Sequence, residues 1–118
     1  PMICFDLRFP VWNRNAEEYD LMINVASWPD TRVEVWDTLL KARSMENVSY
    51  VCGVNRVGTD GLNLTYTGHS AIFSPIGKEL ELKKIKEYLY SQTISLEEVQ
   101  KWRSKYNFLA ERDLFKLL

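Results

Sequence analysis

A long helical stretch between two short apolar segments is the feature that most constrains the fold. Apolar residues recur at spacings of three and four over residues 31–47, which predicts a helix. Thr31 is its predicted N-cap, and Glu34 completes a capping box. Segments 20–27 and 48–55 are rich in β-branched residues and predict strands on either side. Strand, helix and strand in this order, with further strands after them, predict an α/β layered fold with a mixed sheet.

The downstream part of the chain predicts further strands and a second helix. Segment 66–74 predicts a strand with a bend at Gly68. Residues 84–93 alternate strongly, which indicates an exposed or edge strand. A helix should begin at Ser95, and the apolar arm that completes residues 95–118 either docks on a partner or folds back on its own domain.

The first ten residues end a short apolar segment on a cysteine. Residues 1–5 predict a buried strand, and residues 6–15 predict a loop or a short turn of helix. Two interpretations of Cys4 are open at this point. Cys4 is a small buried hydrophobe beside a local Asp6–Arg8 ion pair, or it is a nucleophile displayed at a strand end.

Composition excludes several classes of protein. The net charge of the 118 residues is −1, which does not fit a nucleic-acid-binding surface. The sequence lacks an apolar run of the roughly 20 residues that a membrane span needs. Two cysteines, Cys4 and Cys52, do not make a disulfide framework, so we expect a reduced, cytoplasmic setting. Neither a Cys/His zinc spacing nor a glycine-rich phosphate loop is present, and we expect no metal or cofactor.

Three ordered sequence blocks carry a resemblance to a known family. They are ICFDLRFP at 3–10, LMINVASWP followed by VEVWDTLLKARSMENVSYVCGVNRVGTDG at 21–61, and YTGHSAIFSPIGK at 66–78. Together the blocks resemble the nitrilase, or carbon–nitrogen hydrolase, superfamily. The segment that starts SLEEVQKWRSKYNFLAERD resembles the C-terminus of its bacterial omega-amidase branch.

The resemblance implies an α-β-β-α four-layer sandwich and amide hydrolysis by a Glu-Lys-Cys triad through a thioester. It implies that Cys4 is the nucleophile and that the backbone N–H of Phe5 is an oxyanion donor. In the family order the Glu and the Lys lie upstream of the Cys. We therefore expect residues 1–118 to be the C-terminal half of a single domain whose upstream portion is absent from this chain.

Several charged and aromatic residues are candidates for the surroundings of Cys4. We expect Asp6 and Arg8 to order the turn after the nucleophile. An omega-amidase substrate carries a carboxylate, which arginine binds bidentately, so Arg14 and Arg32 are candidate ligands; a solvated surface charge is the alternative for each. Trp28 follows the strand at 20–27 and is either a pocket wall or ordinary core.

Residues farther along the chain are expected to support the site. Arg43 and Glu46 lie three apart on the long helix and can pair, which would tie the helix to the sheet. Asn55 ends a predicted strand and is expected to support the pocket from behind. His69, the one histidine, and Cys52 are expected to be structural.

The resemblance favours hydrolysis of the terminal amide of a small α-keto acid to a dicarboxylate and ammonia. Alternatives are a nitrilase, an N-carbamoyl hydrolase or an acyl transferase of the same family, or a catalytically inactive fragment or interaction module. Family members usually associate near the active site and through the C-terminal arm, so we expect a homodimer. The apolar residues of the arm suited to such burial are Phe108, Leu109, Leu114, Phe115, Leu117 and Leu118.

Overall fold

The computed structural model describes residues 1–116. The strands are β1 (Met2–Ile3), β2 (Leu21–Ala26), β3 (Tyr50–Asn55), β4 (Val57–Thr59), β5 (Thr65–Thr67), β6 (Ala71–Phe73), β7 (Lys83–Lys86) and β8 (Leu89–Ser91). The α-helices are α1 (Pro10–Asn13), α2 (Val33–Asn47) and α3 (Leu96–Lys105). Three short 3-10 turns cover Cys4–Arg8, Asp30–Arg32 and Phe108–Glu111.

The central element is a four-stranded sheet in the order β1-β2-β3-β6. The pairs β1–β2 and β2–β3 are parallel, and β6 runs antiparallel to β3. This arrangement confirms the predicted α/β fold with a mixed sheet. Because β1, β2 and β3 are parallel, their carboxyl ends lie at one edge of the sheet, where Cys4, Trp28 and Asn55 are found.

Helix α2 covers one face of this sheet and forms the core with it. Trp36 and Leu40 of the helix cluster with Met22, Val51 and Phe73 of the strands. The approach is so close at Gly53 that an added Cβ would lie 2.4 Å from Leu40 Cδ1. A glycine is therefore required in the middle of β3, although glycine is a weak strand former.

The opposite face of the sheet is apolar and largely uncovered within residues 1–116. Ile3 is 66% exposed, and Ile23, Val25 and Val54 are exposed as well. The register places Val25 beside both Ile3 and Val54, so these side chains form one continuous surface. A sheet with one face packed by a helix and the other face apolar is one half of a layered sandwich.

The predicted start of the long helix was wrong by two residues. Thr31 does not cap α2, which begins at Val33 with Arg32 as a cap residue that makes no side-chain bond. Residues Asp30–Arg32 form a separate 3-10 turn instead. The Asp30 carboxylate accepts hydrogen bonds from the backbone N–H and the hydroxyl of Thr67, both at 2.8 Å, and these contacts tie the turn to β5.

Three predicted strands are shorter or divided. The first ends at Ile3, because Cys4 has a positive φ of 44° that extended backbone does not allow. The segment 66–74 breaks at Gly68, whose φ is 91°, into β5 and β6 of different sheets. The alternating segment 84–93 is a hairpin of β7 and β8, because Tyr88 has a left-handed φ of 60° and reverses the chain. Its residues are exposed, as predicted.

Helix α3 is anchored at the amino-terminal ends of β2 and β3. Ser95 caps α3 by accepting from the backbone of Glu98, as predicted, but the Glu98 carboxylate accepts from the Tyr50 hydroxyl at 2.5 Å. Arg103 donates to the carbonyl of Val48 and to the carboxylate of Asp20. These contacts place α3 at the end of the sheet that is remote from Cys4.

The segment after α3 returns to the body of the chain. Arg14 donates to the carbonyl of Asp113 at 3.0 Å, and Arg112 donates to the carbonyl of Ala16. Leu114 nevertheless remains 96% exposed. The predicted arm residues Leu117 and Leu118 lie outside the described residues. Within residues 1–116, no helix is long and apolar enough to cross a membrane.

Candidate active site

Cys4 lies at the carboxyl end of β1 in a sharp change of backbone direction. It is half-buried, its φ is 44°, and it is the first residue of the 3-10 turn Cys4–Arg8. A left-handed conformation is unusual for a non-glycine residue and persists only where the surroundings fix it. The backbone N–H of Phe5 follows in the first turn, where N–H groups have no partner within the helix. This arrangement places a thiol beside a donor that can point at an oxyanion.

Asp6 fixes the turn that carries Cys4. Its carboxylate accepts a hydrogen bond from the backbone N–H of Ile3 at 3.0 Å and so bridges across Cys4. The side-chain amide of Asn13 donates to the carbonyl oxygens of Asp6 and Phe9, both at 2.7 Å. The expected role of Asp6 in ordering the turn fits these contacts. In the described residues Asp6 and Arg8 do not pair with each other, because Arg8 extends toward Trp28.

Arg43 of helix α2 holds the same turn through hydrogen bonds to the Leu7 carbonyl. It is only 4% exposed, and its Nε and Nη2 donate to the carbonyl oxygen of Leu7 at 3.2 and 2.8 Å. Its Nη1 donates to Glu46 Oε1 at 2.9 Å, which is the pair predicted from their spacing. A buried guanidinium needs such partners, because an unpaired charge is costly to bury. Arg43 therefore joins the longest helix to the segment that carries the nucleophile candidate.

Trp28 is buried where the chain leaves β2. The guanidinium of Arg8 lies 5.1 Å from the centroid of its ring, and the ring of Trp36 lies 5.6 Å away. The indole N–H donates to the carbonyl of Arg32 at 2.7 Å. The backbone of Trp28 is hydrogen-bonded on both sides by the amide of Asn55. The tryptophan belongs to the core cluster, and through Arg8 it also contacts the turn after Cys4.

The two arginines proposed as carboxylate ligands differ in their surroundings. Arg32 has an exposed side chain at the end of the turn after Trp28. Arg14 lines a cavity of about 370 Å³ between α1, the end of α2 and the C-terminal segment. Its guanidinium lies 5.0 Å from the ring centroid of Phe115. The contacts of Arg14 are thus with the C-terminal segment, and a substrate role for either arginine stays a prediction.

A buried polar group beneath the nucleophile turn was missed from sequence. Asn13 is fully buried, and the Tyr19 hydroxyl donates to its carbonyl. Burial raises the pKa of Tyr19 to about 12, so this phenol stays a neutral donor at physiological pH. The available signal was a cluster of amides, Asn13 and Asn15, in a predicted loop. Amides in such segments often satisfy backbone groups that regular structure leaves unpaired.

His69 and Cys52 occupy structural positions. His69 Nδ1 lies 3.0 Å from Asp37 Oδ2 at the surface. The backbone carbonyl of His69 accepts a hydrogen bond from the indole N–H of Trp36. Cys52 is half-buried in the middle of β3, on the apolar face that α2 does not cover. Burial raises the pKa of the Cys52 thiol.

This shift predicts how Cys52 reacts with thiol reagents. A raised pKa lowers the thiolate fraction at a given pH, so Cys52 should be alkylated more slowly than free cysteine at pH 8. Its rate should continue to rise above pH 9. Iodoacetamide labelling followed by peptide mass spectrometry measures this rate, and rapid labelling that saturates below pH 8 would contradict the prediction.

Comparisons with known proteins agree with the geometry. Residues 1–104 match the model of the carbon-nitrogen hydrolase family. The chain is 41% identical over 119 residues to the omega-amidase YafV of Yersinia enterocolitica, covering 100% of this chain and 46% of that protein. It is 34% identical to 2-oxoglutaramate amidase of Paenarthrobacter nicotinovorans, covering 92% of this chain and 37% of that protein.

A solved structure gives the same result for the fold. The crystal structure of XC1258 from Xanthomonas campestris, described as a CN-hydrolase superfamily protein with an arsenic adduct in the active site, superposes with a TM-score of 0.88 at 38% identity. The match covers 98% of this chain and 46% of that one. The chain spans about half the length of the omega-amidase relatives that it matches. It belongs to the carbon-nitrogen hydrolase family, in the nitrilase superfamily, and has that superfamily's mixed α/β fold.

Proposed function

We propose that this chain is the nucleophile-bearing half of an omega-amidase that hydrolyses the terminal amide of a small α-keto acid. The observation that carries the proposal is Cys4, held at a strand end by Asp6, with the Phe5 N–H next to it. The relatives named omega-amidase and 2-oxoglutaramate amidase support the substrate class. The Glu and Lys of the triad would come from a segment upstream of residue 1.

The chemistry proceeds in two steps on Cys4. The thiolate attacks the carboxamide carbon, and the Phe5 N–H donates to the oxyanion that forms. The C–N bond then breaks, ammonia leaves with a proton from the upstream general acid, and a thioester remains. Water activated by the same group attacks the thioester, which releases the dicarboxylate and restores the thiol. The chain's own contribution is the nucleophile, one oxyanion donor and the turn that fixes both.

The proposal is tested with the full-length protein that carries this chain. Ammonia release should be measured with α-ketoglutaramate and α-ketosuccinamate, with a simple nitrile and an N-carbamoyl amino acid as comparison substrates. Release from the two keto-acid amides at a much higher kcat/KM supports the omega-amidase. Preference for the nitrile or the N-carbamoyl compound would instead assign another member of the family. No release from any of them would favour an inactive interaction module.

The apolar sheet face provides an independent prediction. We propose that the upstream half covers this face as the second sheet of the sandwich. Replacing Ile23 with Asp should then lower the free energy of unfolding of the full-length protein by roughly 3 kcal/mol or more, because a buried carboxylate would lack a partner. Urea denaturation measures the change.

Leu62 provides a matched control for this substitution. It is 81% exposed in the turn between β4 and β5, so Leu62→Asp should change stability little. Equal stabilities of the Ile23→Asp variant and the wild type would show that solvent reaches the face in the full-length protein. That result would contradict the sandwich arrangement.

We also propose that the full-length protein is a homodimer and that it works in the cytoplasm. A homodimer with the C-terminal segment in the interface is consistent with the exposure of Phe108, Leu114 and Phe115. Sedimentation at micromolar concentration tests it, and a monomeric profile would count against it. The two cysteines remain free thiols, which suits a reducing cytoplasmic setting.

A further inference from the structure

A buried amide is bonded directly to the turn that carries Cys4. Asn13, the last residue of α1, is fully buried. Its Nδ2 donates to the carbonyl oxygens of Asp6 and Phe9, both at 2.7 Å. Asp6 lies within the 3-10 turn that Cys4 begins, and Phe9 is the residue directly after that turn. One side chain of α1 therefore holds both the middle and the end of the nucleophile turn.

These two hydrogen bonds are not needed to satisfy the carbonyl groups that accept them. The Asp6 carbonyl also accepts from the backbone N–H of Phe9 at 3.0 Å, and the Phe9 carbonyl accepts from the backbone N–H groups of Trp12 and Asn13 at 3.1 and 3.3 Å. Among the described residues, the amide oxygen of Asn13 is buried without a hydrogen-bond partner, which costs free energy. The amide thus adds little net stability, and its distinct contribution is to fix Asp6 and Phe9 relative to α1.

The backbone from which this amide extends is itself fixed. The Tyr19 hydroxyl donates to the carbonyl oxygen of Asn13. Two residues farther on, the backbone N–H of Asn15 donates to Oδ1 of Asn47, the last residue of α2, at 2.8 Å. The amide therefore connects the nucleophile turn to an anchored segment.

We propose that Asn13 is a positioning residue, which fixes the Cys4 thiol and the Phe5 N–H relative to each other by holding the turn that carries both. The inference rests on the proposed function, because it concerns attack on the amide substrate at Cys4. Asn13 is fully buried and does not reach the substrate itself. Its effect should therefore appear in kcat and not in KM.

The test is Asn13→Ala in the full-length enzyme. We expect kcat for α-ketoglutaramate to fall about 10-fold or more, because small displacements of a reacting group slow the chemical step strongly. KM should stay the same. The Tm should shift little, since removal of the buried, unpartnered oxygen offsets the loss of the two hydrogen bonds. A residue that only stabilised the fold would give the opposite result, a lower Tm with an unchanged kcat of the folded enzyme.

Alkylation of Cys4 by iodoacetamide gives a second measurement that needs no substrate. Its rate should fall in the Asn13→Ala variant, because the same turn determines how the thiol is presented to a reagent. Asn63→Ala, which removes an amide from an exposed turn, is the control. It should leave kcat, KM and the alkylation rate unchanged.

Asn13→Ser is the conservative variant. A serine hydroxyl can donate to the carbonyl four residues earlier, which is that of Phe9, but it is too short to bond Asp6 as well. We expect a kcat between those of the wild type and the Asn13→Ala variant. A kcat no higher than that of Asn13→Ala would show that the bond to Phe9 does not position the turn.

Tyr19→Phe keeps the test decisive if Asn13→Ala does not fold, as judged by circular dichroism. It removes only the hydroxyl that donates to the Asn13 carbonyl, and it should lower kcat about threefold with KM unchanged. In a double-mutant cycle, Tyr19→Phe and Asn13→Ser should be non-additive, because the first acts through the second. Additive effects would overturn the inference.

The outcomes separate the inference from the proposed function. A wild-type enzyme that releases no ammonia from any amide overturns the proposed function. The alkylation rate of Cys4 then decides the inference, which a slower rate in Asn13→Ala supports and an unchanged rate overturns. An active wild type whose kcat is unaltered by Asn13→Ala, or a loss confined to KM, overturns the inference alone.

Discussion

Replacing Cys4 with alanine is expected to abolish ammonia release by the full-length enzyme, lowering kcat by at least about 10⁴-fold. The other thiol of this chain, Cys52, is not placed to substitute for it. Cys52 lies in the middle of β3, and burial raises the pKa of its thiol. The loss should appear in kcat, because the substrate pocket is retained when the thiol is removed. The measurement is a steady-state ammonia assay with α-ketoglutaramate.

The control for this variant is Cys52→Ala, which also removes one thiol. It should keep the activity of the wild type, since Cys52 is distant in sequence from the nucleophile turn and is not part of it. Thermal unfolding of the Cys4→Ala variant should resemble that of the wild type. Activity that survives in the Cys4→Ala variant would show that another group attacks the amide.

Removing the Arg43 side chain is expected to lower both the stability of the protein and its activity. Arg43→Ala leaves the Leu7 carbonyl without its buried donor and Glu46 without its cation. Loss of the buried hydrogen bonds from the charged guanidinium to Leu7 costs about 1.5–3 kcal/mol, whereas the Glu46 side chain is 41% exposed and can be hydrated, so the free energy of unfolding should fall by about that amount. The turn that carries Cys4 would then lose its hydrogen bonds to α2 and keep the contact between Asp6 and the backbone of Ile3. We therefore expect both kcat and the rate of Cys4 alkylation to fall.

Arg43→Lys and Lys41→Ala sharpen this prediction. Lysine keeps the charge but lacks the fork that donates twice to Leu7, so its activity should lie well below that of the wild type. Lys41 is exposed on the same helix, and its replacement should change neither stability nor alkylation. An Arg43→Lys variant with wild-type kcat would show that the positive charge sustains activity and that the two hydrogen bonds to the Leu7 carbonyl are not needed for it.

Most of the fold followed from hydrophobic periodicity, and its exceptions have local causes. The strands β2 and β3 were predictable because they are short apolar runs that contain β-branched residues, and the helix between them was predictable because its apolar residues recur at spacings of three and four. The division of segment 84–93 was not, because Tyr88 has no sequence signature for a left-handed conformation. The start of α2 was missed because Thr31 resembles an N-cap residue. In the structure the Asp30 carboxylate accepts hydrogen bonds from Thr67, and Asp30–Arg32 form a separate 3-10 turn.

The candidate site was only partly predictable, because several of its contacts join residues that are far apart in sequence. Cys4 and its motif could be recognised, and the pairing of Arg43 with Glu46 followed from helical spacing. The amide contacts of Asn13 and Asn55 join residues 7 and 27 positions apart, and periodicity does not report such long-range hydrogen bonds. The contact of Arg14 with Asp113 likewise depends on how the C-terminal segment returns.

An acyl group on Cys4 would be direct evidence that this thiol attacks the amide. The full-length enzyme should be mixed with α-ketoglutaramate, quenched rapidly in acid, and digested for peptide mass spectrometry. The peptide containing Cys4 should carry the keto-acyl group as a thioester, which neutral hydroxylamine removes. Ammonia release at the full rate with the acyl group on another residue, or with none on Cys4 at any quench time, would contradict it.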